Sequence, residues 1–177
     1  MNIQRNGKYS CLELERRFLV HDLPEEIRAS GYRWRISDRY IPETRLRLRR
    51  MESRRGAEVL YKLSQKFSDQ LEASRKTTIT NLYLNEGEYN CLQTLAGNEV
   101  LKDRYLFEYK KHRFGIDVFA GRHAGLILAE VEAATEIDLD DIPIPSFLVR
   151  EVTEEPFFTG GKLAEASQAE LRKALQS

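Results

Sequence analysis

Cys11-Leu12-Glu13-Leu14-Glu15-Arg16-Arg17-Phe18-Leu19-Val20 alternates apolar and charged side chains. In an extended chain successive side chains point to opposite faces, so Leu12, Leu14 and Phe18 share one face and Glu13, Glu15 and Arg17 the other. The stretch is a strand with two chemically different faces. The same period-two signal recurs along the chain. Arg45, Arg47 and Arg49 oppose Leu46 and Leu48, and Lys62, Ser64 and Lys66 are in phase between Val59 and Lys66. Further strands are expected from Tyr32 to Ile41, from Thr77 to Leu84, from Glu99 to Tyr109, from Phe114 to Phe119 and from Leu126 to Ala133, the last two separated by Gly121 and Gly125.

Helices are the minority. Pro24, Glu25, Glu26 and Gly31 mark a short helix within the segment from His21 to Gly31, with Pro24 at its first position. Asn85 followed by Glu88 is a capping-box signal for a second, with Tyr89, Leu92 and Leu95 at helical spacing and Gly97 at the far end. An acidic loop is expected around Asp138 to Asp141, and a closing helix from about Lys162 carries Leu163, Leu171 and Leu175 and would cover one end of the molecule.

The chain has 177 residues, 41% hydrophobic and 32% charged, which fits a single folded domain over 1–177. Its 28 basic and 28 acidic residues cancel, so no global positive field draws it onto nucleic acid or an anionic membrane. Cys11 and Cys91 are too few for a disulfide framework. The charged N-terminal stretch does not read as a signal peptide, and no apolar run approaches the ~20 residues that span a bilayer. A cytoplasmic protein is expected.

Charges of both signs sit on single strand faces: Glu13 with Glu15, Arg45 with Arg47 and Arg49, Lys102 with Arg104, Glu130 with Glu132. A barrel of about eight strands would turn these faces into one shared interior. Carboxylates are hard oxygen ligands for Mg2+ or Mn2+, while guanidinium forks and ammonium groups clamp phosphate oxygens. The mixture suits a metal-bound polyphosphate.

The run from Glu13 to Arg17 resembles the ExExK motif that opens proteins of the CYTH superfamily, the triphosphate tunnel metalloenzymes. Arg47 and Arg49 in LRLR, Lys102 and Arg104 in KDRY, Asp117 in GIDVFAG, Glu130 and Glu132 in LAEVE, and Glu151-Val152-Thr153 follow in the family's order. The resemblance implies a mainly β, closed antiparallel eight-stranded barrel forming a tunnel, with peripheral helices and a C-terminal helix. It implies Glu13, Glu15, Glu130, Glu132 and Asp117 around a divalent metal, Asp117 as an orienting group or beside a second ion. Arg17, Arg47, Arg49, Lys102 and Arg104 would hold the triphosphate, with Lys62 as the match to the family's lysine on the next strand, Lys66 as its in-phase substitute and Arg75 as an addition to the clamp. The implied activity is metal-dependent hydrolysis of inorganic triphosphate or a nucleoside triphosphate; the alternatives are a class IV-type adenylate cyclase and a non-catalytic polyphosphate or nucleotide-binding module. Pairing of a barrel edge between subunits would give a homodimer.

The sequence departs from the family pattern twice. Arg17 stands where the motif has lysine, and a guanidinium stays protonated at any working pH, so it cannot accept a proton. The middle strand, Lys76-Thr77-Thr78-Ile79-Thr80-Asn81, lacks the alternating glutamates the family often carries there. Binding is therefore better supported than turnover. Gly160-Gly161-Lys162-Leu163 lacks the spacing of a phosphate loop, and His21, His112 and His123 have no paired metal spacing.

Overall fold

The computed structural model of the chain describes residues 10–67 and 75–176. Nine strands form one antiparallel sheet: β1 (Ser10–Val20), β2 (Trp34–Tyr40), β3 (Leu46–Ser53), β4 (Val59–Phe67), β5 (Lys76–Leu84), β6 (Asn98–Tyr109), β7 (His112–Ala120), β8 (Ile127–Ala133) and β9 (Leu148–Glu151). The order β5-β4-β3-β2-β6-β7-β8-β1-β9, with a further pairing of β5 to β1, closes eight strands into a barrel and leaves β9 as an appendage. The expected closed eight-stranded antiparallel barrel is borne out.

Closure is made on β1. Leu14 pairs with both Lys76 of β5 and Ala133 of β8, so these neighbours occupy opposite edges of the strand. Phe18 pairs with both Ala129 and Glu151, which places β9 across from β8, beyond the point where β5 leaves off. One edge of β1 is thus shared in series by β5 and β9.

Alternation then sorts the side chains. Leu14, Phe18 and Val20 pack outside the barrel wall with Phe114, Ile116, Ala129 and Val131, covered by Ile27 of α1 (Glu25–Ser30) and Leu139 of α3 (Glu136–Asp140). The opposite parity points inward. At one end of the barrel it is apolar: Leu19 closes β1, Val100 opens β6, Phe119 closes β7 and Leu128 opens β8, and all four pack with Phe158, Leu163 and Leu171. These last residues belong to a closing segment made of a 3-10 turn at Pro156–Phe158, α4 (Gly160–Glu165) and α5 (Gln168–Gln176). Gly160 is required by close approach: a Cβ there would stand 2.0 Å from the Tyr40 hydroxyl.

The local expectations hold with adjustments. Asn85 and Glu88 make the full capping box of α2 (Glu86–Leu92), which ends before Leu95 because the Gln93 amide already turns onto the Tyr89 and Cys91 carbonyls. Pro24 is the N-cap of α1 rather than its first residue. The stretch Asp138 to Asp141, expected as a loop, lies largely in α3, because the Thr135 hydroxyl accepts from the Asp138 amide and caps a helical turn. The single closing helix is two, α4 and α5, and β9 is an additional strand.

Phe114 is fully buried in the outer core. Phe114→Ala should lower unfolding stability by about 3–5 kcal/mol, read from the midpoint of a urea or guanidinium titration.

Candidate functional site

Inside the charged belt lies a cavity of about 600 Å3. Glu13, Glu15 and Arg17 reach it from β1, Glu130 and Glu132 from β8, Arg47 and Arg49 from β3, Lys66 from β4, and Lys102 and Arg104 from β6. Ten of the thirteen residues singled out in the sequence are therefore brought together. In the ring of eight strands β1 and β8 are neighbours, and they stand diametrically opposite β2 and β3. A carboxylate wall faces an arginine wall across one space.

The remaining three lie elsewhere. Lys62 is in register with Arg49, but its ammonium lies 5.0 Å over the Tyr83 ring and outside the cavity. Lys66, four residues on and in the same phase, reaches the cavity and bridges Glu13 at 3.3 Å. Arg75 pairs with Asp140 at 2.5 Å, away from the interior. Asp117 is fully buried behind the lining, where it accepts from Lys102 Nζ at 2.5 Å and from Arg104 Nε and Nη2, both at 2.6 Å. It positions cations.

Arg104 Nη2 also donates to Glu130 at 2.6 Å, which joins the two walls along β6, β7 and β8. Asp38, buried on β2, plays the part of Asp117 for β3: its carboxylate takes Arg49 through a two-point fork at 2.5 and 2.6 Å and lies 3.8 Å from Arg47 Nε. Arg47 Nη2 donates to Ser64 at 3.3 Å, and its buried Nε has no hydrogen-bond partner among the described residues. Arg17 lines the cavity but spends its fork on the protein, Nη1 donating to the Phe158 carbonyl and Nη2 to the Thr153 carbonyl, each at 2.9 Å.

These neighbours set the protonation states. Burial alone would raise the Asp38 and Asp117 carboxyls, yet Arg49 with Arg47, and Arg104 with Lys102, hold them well below the usual carboxylate range. Glu130 is lowered for the same reason, burial being outweighed by Arg104 and Lys102. Glu15 and Glu132 move the other way: burial raises both, and repulsion from Glu130 and Glu13, and for Glu132 also from Glu15, adds to it.

No family model matches the chain, and no curated protein matches it. Solved structures do. It superimposes on "the hypothetical protein NE1496" with a TM-score of 0.58 and 25% identity over 88% of this chain and 99% of that one. A second structure of that protein, described as the inorganic triphosphatase NE1496, gives a TM-score of 0.57 and 24% identity over 87% and 95%. PH1819 protein from Pyrococcus horikoshii OT3 gives 0.50 and 18% over 73% and 82%. The chain shares the barrel fold of these proteins.

In this barrel the inward positions of β5, in register with Glu13 and its neighbours, are Thr77, Ile79 and Asn81, so the middle strand brings no carboxylate. Among the described residues no group of three or more Asp, Glu, His or Cys side chains stands close enough to hold a metal ion as it is. Glu13, Glu15, Glu130 and Glu132 nonetheless fit a hard divalent cation by the chemistry of the set: all are carboxylates, on adjacent strands, and the raised Glu15 and Glu132 register crowding that a cation would relieve. Asp38 is the site residue that sequence reasoning missed. It sits singly in Arg35-Ile36-Ser37-Asp38-Arg39, where no partner acid marks it, and only its phase with Ile36 and Tyr40 points it inward.

The two groups of acids make opposite contributions to stability. Asp117, lowered in the fold, stabilises fully above the unfolded value of about 3.9, and that contribution is lost as pH falls toward its folded value. Glu15, raised in the fold, carries a penalty that is full at neutral pH and disappears as it protonates. Without added divalent ions at pH 7, Glu15→Gln should therefore raise the melting temperature, by an amount that shrinks as pH is lowered through the carboxylate range. Asp117→Asn should cost about 3–5 kcal/mol, because two buried cations lose their anchor.

Proposed function

We propose that the chain binds the triphosphate group of a small molecule in the barrel interior together with Mg2+ or Mn2+, and hydrolyses it. The observation that carries this reading is the opposition of the two walls. Among the described residues eight basic side chains line the cavity against five carboxylates, an excess of three positive charges, and the buried Asp117 behind them reduces it to two. An anion of several charges would complete that balance, and the unpartnered Nε of Arg47 is a donor suited to it. The fold shared with a protein described as an inorganic triphosphatase agrees with this substrate class.

Arg47, Arg49, Lys102 and Arg104 would grip phosphoryl oxygens. Asp38 and Asp117 hold these side chains in place before any ligand arrives, so little reorganisation accompanies binding. Glu13, Glu15, Glu130 and Glu132 would hold the divalent cation, which when bound neutralises charge on bridging and terminal phosphate oxygens. Arg17 keeps its protons and cannot take one from water. The inward Thr77, Ile79 and Asn81 favour, as a second reading, a module that binds polyphosphate without turnover.

Release of phosphate from inorganic triphosphate or a nucleoside triphosphate, measured with Mg2+ or Mn2+, should fall by about a hundredfold or more in the combined Glu13→Gln, Glu15→Gln variant. Cyclic AMP with pyrophosphate as products from ATP would mark a cyclase instead. Tight calorimetric binding without any product, abolished by Arg47→Ala with Arg49→Ala, would replace the hydrolase by the binding module.

A further inference from the structure

Lys162 was part of no recognisable motif, yet it lines the cavity from the closing segment, the one cation that segment contributes there. We propose that Lys162 is a further anion-binding residue of the cavity and that Arg17 is the positioning residue that holds it over the barrel. The inference rests on the anion-pocket reading above.

The side chain itself is available. Among the described residues its ammonium pairs only with Glu165, at 3.3 Å and with both groups more than 60% exposed. Such a pair is weak in water and yields readily to a multiply charged anion. What makes Lys162 part of the site is the placement of its backbone. Gly160 lets α4 settle directly against Tyr40, which itself lines the cavity. Leu163 and Ala164, which follow, are buried among the apolar residues at the barrel end. Their carbonyls are received by the turn between β7 and β8: His123 Nε2 lies 2.6 Å from the Leu163 carbonyl, and Arg122 donates to that of Ala164.

Arg17 ties down the front of the same segment. Its guanidinium bridges the Thr153 and Phe158 carbonyls, its backbone amide donates to Thr153 Oγ1 at 3.0 Å, and the side chain is almost wholly buried. Two carbonyls five residues apart are held by one planar fork, which a lysine ammonium on a flexible stem does not reproduce. The third nitrogen, Nε, has no hydrogen-bond partner among the described residues and lies 3.6 Å from Glu15 Oε1. Arg17 therefore lies between the carboxylate wall and the segment that carries Lys162.

The test is a double-mutant cycle on the dissociation constant of inorganic triphosphate, measured by calorimetry on the full chain, with Arg47→Ala as the reference for the pocket. Lys162→Met should weaken binding roughly threefold to tenfold, and Arg17→Lys by a similar factor despite keeping its charge. In the Arg17→Lys background Lys162→Met should have almost no further effect. Backbone amides from 158 to 165 should exchange about tenfold faster in Arg17→Lys than in the parent, without ligand. Unchanged affinity in Lys162→Met, with Arg47→Ala still losing binding, would overturn the inference and leave the pocket standing. Fully additive losses, or unchanged exchange in Arg17→Lys, would overturn the role of Arg17. If the parent binds no triphosphate at all, the pocket and this inference fall together. Should Arg17→Lys not fold, Thr153→Ala, which removes the hydroxyl that accepts from the Arg17 amide, assayed with and without Lys162→Met, reads the same coupling from the other side of the clamp.

Discussion

The closure of β5 onto β1 decides what every other strand can mean. Five residue pairs, from Ser10 with Thr80 to Leu14 with Lys76, convert an open sheet into a barrel. In an open sheet the charged faces of β1, β3, β6 and β8 would be solvent faces, and opposite charges on distant strands would never meet. Closed, the same alternation puts Glu13 of β1 against Lys66 of β4. Charge patterning that is unremarkable strand by strand becomes a chemical site only through this seam.

Burying so many charges is tolerable because they are organised in two tiers. Asp38 and Asp117 are both fully buried and each secures two cations, which offsets the desolvation of all partners. The front tier, Glu13, Glu15, Glu130 and Glu132, is only partly compensated, and Glu15 and Glu132 show it in their raised carboxyls. The fully satisfied acids position other side chains, and the partly compensated ones line the cavity. The distribution of strain across the barrel thus separates scaffold from site without reference to any ligand.

The strands and the inward parity were legible in the sequence because period-two alternation survives in a half-buried sheet. Arg47, Arg49, Lys102, Arg104 and the four glutamates followed from it. The exchange of Lys62 for Lys66 did not, since both share one parity and only the register of β4 against β5 and β1 decides which faces the acids. Arg17 was legible as an inward cation but not as a clamp, because its partners are backbone carbonyls 136 and 141 residues away, and carbonyls leave no mark on a sequence. Asp38 was hidden among alternating polar residues for want of a second acid. α3 was read as loop because its cap, Thr135, precedes too short a turn to establish helical periodicity.

The sharing of β1 among three partners has a kinetic consequence. Leu14 meets Ala133 119 residues later in the chain, and Phe18 meets Glu151 later still. Contacts of such separation are entropically expensive to form, and barrels built on them fold slowly. During synthesis β1 therefore waits, unpaired on the edge that β8 will take, until most of the chain exists. Its alternating Glu13, Glu15 and Arg17 are charges that discourage another strand from adding there in the interval. The residues that equip the finished cavity also guard the unfinished strand.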